Sequence, residues 1–120
     1  MTRTMFDRYG GFASVSKIVM AFYDRVLDSE IVGFYFENTD MKSLVDHQTK
    51  FIATLLGGPA SYSNEHLERV HARLGITEAA FKESVDLLAE TLEDHDFEDE
   101  DVRQVEYEMN SRKNFIVKKG

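Results

Sequence analysis

Two adjacent polar residues of different chemistry, His47 and Gln48, stand in a segment whose apolar residues have helical spacing. Leu44 precedes them by three and four positions and Phe51 follows by four and three, so both are predicted to face the apolar side of a helix. Burying an imidazole and a carboxamide without partners would cost about 1 to 3 kcal/mol each. We therefore expect a partner in the interior, and a bound ligand is one candidate.

A further candidate, His71, lies on a short apolar stripe that is closed by Gly75. The stripe consists of Leu67, Val70, His71 and Leu74. A helix of about two turns gains little from its own propensity, so tertiary contacts or a bound group must hold it. A metal bonded through His71 would do so. The alternative is a core histidine with an ordinary hydrogen-bond partner, which is the commoner role of one histidine on an apolar face.

Tyr23 is a candidate hydrogen-bond donor in the interior. It falls on an apolar stripe formed by Val15, Ile18, Val19, Phe22 and Val26, so its hydroxyl is predicted to point inward. A phenol and an amide can donate hydrogen bonds to a polar ligand, whereas an ionised carboxylate cannot. The alternative is an aromatic residue that only packs in a helical core.

The elements that must position these residues are all predicted to be helical. In chain order they are a short turn over residues 4–9, helices over about 13–27 and 40–56, a short helix over 67–74, and helices that begin at Thr77 and near Val102. Asp40 is the predicted N-cap of the central helix. Gly57, Gly58 and Pro59 end that helix, because glycine permits a left-handed residue and proline cannot continue the hydrogen-bond ladder.

The acidic run EDHDFEDED, residues 93–101, is predicted as a solvated connection whose carboxylates favour the start of the next helix. A metal site is the weaker alternative, since the run lacks the ordered glycine-containing spacing of a calcium loop. His95 is assigned to the surface.

The last helix is predicted from its apolar spacing, and the prediction is weakest at residues 110–111. Its apolar residues are Val102, Val105, Met109 and Ile116.

The length of 120 residues suits a single domain, residues 1–120, and 42% hydrophobic residues suffice for its core. A net charge of −8 and a pI near 4.9 argue against nucleic acid and anionic membranes as partners. No apolar run approaches the roughly 18 residues of a transmembrane candidate, and residues 1–11 lack a hydrophobic signal core. We therefore expect a cytoplasmic protein.

Five segments occur in an order and at separations that are typical of one family. They are FYDRVL (22–27), FYFENTDM (34–41), HQTKF (47–51), LLGGP (55–59) and VHARLGI (70–76). Together they resemble a truncated haemoglobin of the first group. The resemblance covers roughly residues 5–92, and the last quarter of the chain matches only in being helical. It implies an all-α, two-over-two helical globin sandwich that binds one haem.

The resemblance also implies roles for individual residues. His71 matches the proximal histidine whose ring nitrogen binds haem iron, while Tyr23 and Gln48, the implied catalytic pair, match the distal residues that hydrogen-bond iron-bound O2. Phe36 matches the phenylalanine that packs on the porphyrin face. Leu44 stands at the distal position that carries histidine in many larger globins. The glycine pairs at 10–11 and 57–58 match those that let the shortened helices turn tightly.

His47 has two interpretations within this resemblance. In part of the family a histidine at this position binds the iron on the distal side and gives a six-coordinate haem; alternatively, His47 lies at the pocket mouth and bonds a haem propionate or water. Lys42, Tyr62 and Arg73 are candidates for propionate contacts. The expected haem contacts are Phe36, Leu44, His47, Phe51, Tyr62, Val70, His71, Leu74 and Phe81, with His71 and His47 as metal ligands.

The expected cofactor is haem b, iron protoporphyrin IX. The chain has no cysteine, which excludes a c-type attachment. Some relatives attach haem covalently through a histidine near the C-terminus, and residues 102–120 contain none. The haem should therefore be extractable.

Three functions are compatible with the sequence. The first is reversible binding of O2 and NO with NO dioxygenation, which needs a cellular reductase to reset the haem. The second is a haem-based ligand sensor or O2 store without turnover, and the third is a helical interaction module without haem. The expected partners are small haem ligands, O2, NO and CO, and the expected state is a monomer.

Overall fold

The computed structural model describes residues 4–36, 40–58 and 76–117. Within these ranges the regular structure is helical, as predicted, without strands. The α-helices are α1 (Met5–Arg8), α2 (Gly11–Asp28), α3 (Met41–Leu55), α4 (Glu78–Asp94) and α5 (Asp99–Ser111). Two 3₁₀ turns, Gly33–Phe36 and Lys113–Phe115, follow α2 and α5. No helix in these ranges has both the length and the apolar content that crossing a membrane requires.

Polar caps set the helix starts where the sequence predicts them. The carboxylate of Asp40 accepts hydrogen bonds from the backbone N–H groups of Lys42 and Ser43 at the start of α3. The hydroxyl of Thr77 accepts from the N–H of Ala80 at the start of α4. These bonds satisfy backbone donors that have no partner inside the helix.

The helices pack in two pairs. α2 packs on α3, α4 packs on α5, and α2 also contacts α4, which joins the pairs. The core lies between them, with fully buried residues on each side of the junction. They include Val15, Ile18, Val19 and Val26 of α2, Leu88 and Leu92 of α4, and Val105 of α5. Burial of such side chains contributes roughly 1.5 to 3 kcal/mol each, so this junction stabilises the packing of the two pairs.

A buried polar residue, Thr91, connects the two pairs. Its side chain is 0% exposed, donates to the carbonyl of Leu87 and accepts from the guanidinium of Arg25. Arg25 also pairs with Asp94, so one side chain of α2 contacts two residues of α4. Because the hydroxyl of Thr91 is fully paired, its burial carries no desolvation penalty of the kind an unpaired hydroxyl would.

The N-terminal helix is held by residues far along the chain. Tyr9 stacks on Phe97 with ring centroids 3.7 Å apart, and its hydroxyl donates to Asp101 at 2.5 Å. Arg8 forms a two-pronged ion pair with the same carboxylate. At the other end of α1, the N–H of Phe6 donates to the carbonyl of Leu56, next to the glycine pair that ends α3.

Gly58 has no room for a side chain. A Cβ at this position would lie 2.7 Å from the ring of Phe6, inside van der Waals contact. Gly57 has a φ of +82°, in the left-handed region that favours glycine. The predicted glycine break after α3 is therefore confirmed, and its second glycine allows α1 to approach.

The acidic run agrees with the prediction in its carboxylates, which are exposed except for the half-buried Asp101, and three of them lie in the first turn of α5. The exception is Phe97. The first residues of the run close α4 and its last ones open α5, and Phe97 at its centre is only 5% exposed. His95 is half-buried, and its ring Nδ1 lies 2.9 Å from the carbonyl oxygen of Thr91. The surface assignment of His95 is therefore only partly right. A single phenylalanine among carboxylates has no periodic partners, so the pattern gave no sign of its burial.

Candidate functional site

An apolar cavity lies between the two helix pairs and collects side chains from almost every element. Its wall is formed by Phe22, Tyr23, Val26, Val32, Tyr35, Phe36, Leu44, Gln48, Phe51, Ile76, Ala80, Phe81, Ser84, Met109 and Ile116. Most of these side chains are aliphatic or aromatic, and only a few can form hydrogen bonds. This composition is typical of a site that takes a large apolar ligand and orients it with few polar contacts.

Tyr23 reaches this cavity from α2, as its position on the apolar stripe predicts. The residue is 5% exposed, and its ring packs edge-on against Phe22 and Phe36, with centroids 5.1 and 5.5 Å away. Its hydroxyl makes no hydrogen bond to another described residue, and burial raises the pKa of Tyr23 well above its ordinary value. The phenol therefore stays neutral and keeps a hydrogen to donate inside the cavity.

Gln48 enters the cavity from α3, between Leu44 and Phe51 on the same face. The residue is half-buried and, like Tyr23, makes no hydrogen bond within the part of the chain that the structure describes. A carboxamide can donate two hydrogen bonds and accept others. α2 and α3 thus each present one donor to the same space.

His47 does not share the inward orientation of Gln48. The residue is exposed and is not part of the cavity wall, so the expectation that both neighbours face the interior holds for Gln48 alone. Successive residues of an α-helix are about 100° apart, which places Gln48 about 40° from Leu44 toward the centre of the apolar face and His47 about 60° from Leu44 on the other side. The three-and-four spacing rule does not separate these two positions.

Four other predicted contacts within the described ranges lie in the cavity wall, whereas Lys42, a candidate for a propionate contact, is exposed and lies outside it. Phe36 is half-buried in the 3₁₀ turn after α2, Leu44 and Phe51 come from α3, and Phe81 from α4 is 3% exposed. The structure therefore brings together Tyr23 and Gln48 with these four apolar residues. Their roles toward a cofactor remain predictions.

Four predicted site residues lie outside the described residues. They are Tyr62, Val70, His71 and Leu74. The same applies to Pro59, His66 and Arg73. The residues on either side, Gly58 and Ile76, are described, and Ile76 lines the cavity. The first described residue after this segment is therefore part of the cavity wall.

The sequence did not identify several wall residues as part of the site. Met109 and Ile116 were predicted on the apolar face of the last helix. In the structure Met109 lies on α5, whereas Ile116 follows the 3₁₀ turn beyond its end, and both line the cavity. Tyr35 stands beside Phe36 in an aromatic cluster that the sequence placed only in a connection. Ser84 lies four positions after Ala80, on the face that carries Phe81, and this spacing was the available signal.

Metal coordination by side chains alone has no support within the described ranges. There, no three or more His, Cys, Asp or Glu side chains are grouped so that they could hold a metal ion. The alternative of a metal site in the acidic run therefore gains nothing from the structure.

Comparison with known proteins points to one group. The family model described as bacterial-like globin matches residues 4–117. The group 1 truncated haemoglobin of Tetrahymena thermophila is 33% identical over 91 residues, which cover 76% of this chain and 75% of that protein. That of Mycolicibacterium paratuberculosis is 38% identical over 74 residues, covering 62% of this chain and 54% of the relative.

Solved structures agree with this grouping. The truncated haemoglobin of Tetrahymena pyriformis in its Fe(III) form superposes with a TM-score of 0.88 at 27% identity, covering 98% of this chain and 100% of that one. The 2/2 haemoglobin of Synechococcus, in the cyanomet state with covalently attached haem, gives a TM-score of 0.86 at 25% identity and covers 96% and 98%. The two helix pairs of this chain correspond to the two-over-two arrangement.

Proposed function

Because this chain belongs to the group 1 truncated haemoglobins of the bacterial-like globin family, we propose that it combines NO with O2 to give nitrate in its apolar cavity. Membership implies that the protein binds haem and a small gas such as O2. The reaction of the bound O2 with NO is our proposal and goes beyond binding. One NO, one O2 and one electron give one nitrate, so a cellular reductase must supply an electron for each turnover.

The observation that carries the proposal is the neutral phenol of Tyr23, which enters a mostly apolar cavity and makes no hydrogen bond to another residue that the structure describes. Native hydroxyl groups in such surroundings are usually paired. Tyr23 therefore fits a site completed by a polar ligand. The flat aromatic and aliphatic wall suits a porphyrin in the same way, so the described residues fit haem.

Haem supplies an iron that binds O2 and NO and exchanges one electron with them. Tyr23 and Gln48 donate hydrogen bonds to the bound gas and so stabilise the negative charge that it gains. The phenol of Tyr23 is oriented before the gas arrives, since its ring packs against Phe22 and Phe36. Phe36, Leu44 and Phe51 exclude water, which strengthens these hydrogen bonds.

We propose His71 as the residue that holds the iron from the proximal side, with Val70, Leu74 and Phe81 packed against the porphyrin and Tyr62 near a propionate. Phe81 supports this arrangement, because it is buried and lines the cavity from α4. The cofactor in this proposal is haem b, held without a covalent bond. Extraction of the pigment into acidified butanone tests that point, and pigment that stays with the protein would contradict it.

We also propose that His47 is an exchangeable second iron ligand. It is adjacent to Gln48 but exposed, so it must move from the edge of α3 into the cavity to reach the iron. Binding of O2 or NO would then wait for His47 to leave, which lowers the apparent affinity by the fraction of open protein. The alternative places His47 at the cavity mouth, bonded to a propionate or to water.

We further propose a cellular setting and partners for this reaction. We place the protein in the cytoplasm as a monomer of one domain, residues 1–120, where a reductase can reach the haem edge. The net charge of −8 supports a partner with a basic face rather than nucleic acid. CO is expected to bind as a competitor of O2.

The test is a stopped-flow reaction of the reduced, O2-loaded holoprotein with NO. We expect about one nitrate per haem in a single turnover, and continued NADH-dependent nitrate formation once a flavoprotein reductase is added. Nitrite without nitrate, or a haem that the reductase cannot reset, would contradict the enzyme. That result would leave the alternative function, a ligand sensor or O2 store without turnover.

A further inference from the structure

The cavity wall contains a hydroxyl that the proposed function does not use. α4 directs Ala80, Phe81 and Ser84 to the cavity, and Ser84 is its polar member. The residue is half-buried, in contact with a space that is otherwise almost entirely apolar. A hydroxyl in such a place either finds a partner or is costly.

Ser84 lacks the hydrogen bond that three helical threonines of this chain make. Ser14 and Ser16 of α2 lack it as well, but of these three serines only Ser84 lines the cavity. Thr49, Thr54 and Thr91 each donate to the carbonyl four residues earlier, at 2.7, 2.9 and 2.8 Å. This back-bond is the usual solution for a serine or threonine inside a helix. Ser84 forms neither this bond nor any other hydrogen bond to a residue that the structure describes, so its donor and its acceptors remain available in the cavity.

The position of Ser84 is fixed by contacts on either side. The hydroxyl of Ser29, just after α2, donates to Glu83 at 2.9 Å, which ties the end of α2 to α4 one residue before Ser84. Val26, one turn after Tyr23 on α2, lines the same cavity. α2 and α4 are therefore held together at the level where Ser84 enters.

We propose that the Ser84 hydroxyl is a third hydrogen-bonding group of the cavity and donates to a small polar gas, O2 or NO, that is bound there. The inference rests on the proposed function, since it needs haem to bring the gas. α2, α3 and α4 then each contribute one donor, from Tyr23, Gln48 and Ser84. A hydroxyl favours O2 over CO, because CO is a poor hydrogen-bond acceptor, so Ser84 is a residue that sets ligand specificity.

The test compares Ser84→Ala and Ser84→Cys in the reduced, haem-loaded protein. Alanine removes the hydroxyl and adds space, whereas cysteine keeps the space filled with a much weaker donor. We expect both variants to release O2 about two- to tenfold faster, as loss of one hydrogen bond predicts, with little change in CO release. The C–O stretch of the CO form should rise in both, because a nearby donor lowers it.

Controls separate this inference from its premise. Ser16→Ala, on a half-buried serine of α2 outside the cavity wall, should leave every reading unchanged. If the O2 release rate and the C–O stretching frequency are the same in the wild type and both Ser84 variants, the proposed role of Ser84 is wrong. Shifts in opposite directions for alanine and cysteine would also contradict it, because they would indicate an effect of side-chain volume. Tyr23→Phe measured in the same series tests the premise. If Tyr23→Phe also leaves O2 release and the C–O stretch unchanged, the proposed polar site is wrong. If Tyr23→Phe changes them and the Ser84 variants do not, only the inference about Ser84 is wrong.

Discussion

The ring of Phe36 meets the ring of Tyr23 edge-on, with centroids 5.5 Å apart and planes inclined by 76°. Phe36 belongs to the 3₁₀ turn that leads from α2 toward α3, whereas Tyr23 belongs to α2 itself. Edge-to-face aromatic pairs of this kind are worth about 0.5 to 1.5 kcal/mol beyond their burial. The connection between two helices therefore fixes the orientation of the phenol that enters the cavity.

Replacing Tyr23 with phenylalanine should keep this packing and remove the donor. We expect O2 to leave the haem at least about tenfold faster, because a hydrogen bond to a charged group is worth roughly 1.5 to 3 kcal/mol. Autoxidation should also be faster. Tyr107→Phe is the matched control, since Tyr107 is 67% exposed on α5. Wild-type rates in the Tyr23 variant would show that the phenol does not contact the gas.

Replacing His71 with glycine should remove the proximal iron ligand. We expect the variant to lose its haem on gel filtration and to regain a globin-like spectrum when imidazole is added, because free imidazole can occupy the vacated position. His66→Gly is the control, because His66 is a nearby histidine that is not among the predicted metal ligands. Stable haem retention by the His71 variant without imidazole would assign the iron to another residue.

Replacing His47 with leucine tests the exchangeable ligand. The reduced wild-type protein under argon should show split low-spin absorption bands, and the variant should show one broad high-spin band. CO should then bind faster to the variant, since no side chain has to leave first. A high-spin spectrum for the wild-type protein would contradict ligation by His47 and favour its position at the cavity mouth.

Replacing Asp101 with asparagine should lower stability in a pH-dependent way. Hydrogen bonds from Arg8, and secondly from Tyr9, hold the pKa of the Asp101 carboxyl below its ordinary value. A carboxyl whose pKa is lower in the folded chain stabilises the fold above about pH 4, and this contribution is lost as the pH falls through the folded pKa.

The melting temperature of the Asp101 variant should therefore lie about 5 °C below that of the wild type at pH 7, and the difference should shrink by pH 3. Asp46→Asn serves as the control, because the Asp46–Lys50 pair is exposed on α3 and contributes little. A pH-independent difference for the Asp101 variant would indicate a packing effect instead of a charge effect.

The sequence predicted best those features that depend only on residues close together in the chain. Asp40 and Thr77 were identified as helix caps because a side-chain oxygen there needs only the next turn of backbone. Tyr23 was predicted to face inward because five apolar neighbours define its stripe. The all-α fold and the family follow from such local signals and from the order of five short segments.

Other features depended on contacts between distant parts of the chain. Phe97 is buried because Tyr9, almost ninety residues earlier, stacks on it, and no local pattern contains that information. His47 and Gln48 were assigned to the same side because the spacing rule is coarser than the angle between them. The spacing of Ser84 places it on the face of Phe81, but its contact with the site depends on a cavity that three other helices complete.

The contacts of Tyr9 also bear on how the chain folds. One end of α1 bonds Leu56 and the helix contacts α2, but Tyr9 at its other end is held by Phe97 and Asp101, about ninety residues later in the chain. Contacts with such large sequence separation form slowly. The Tyr9 end of α1 therefore docks only once the start of α5 is in place, whereas α2 and α3 can pair without it.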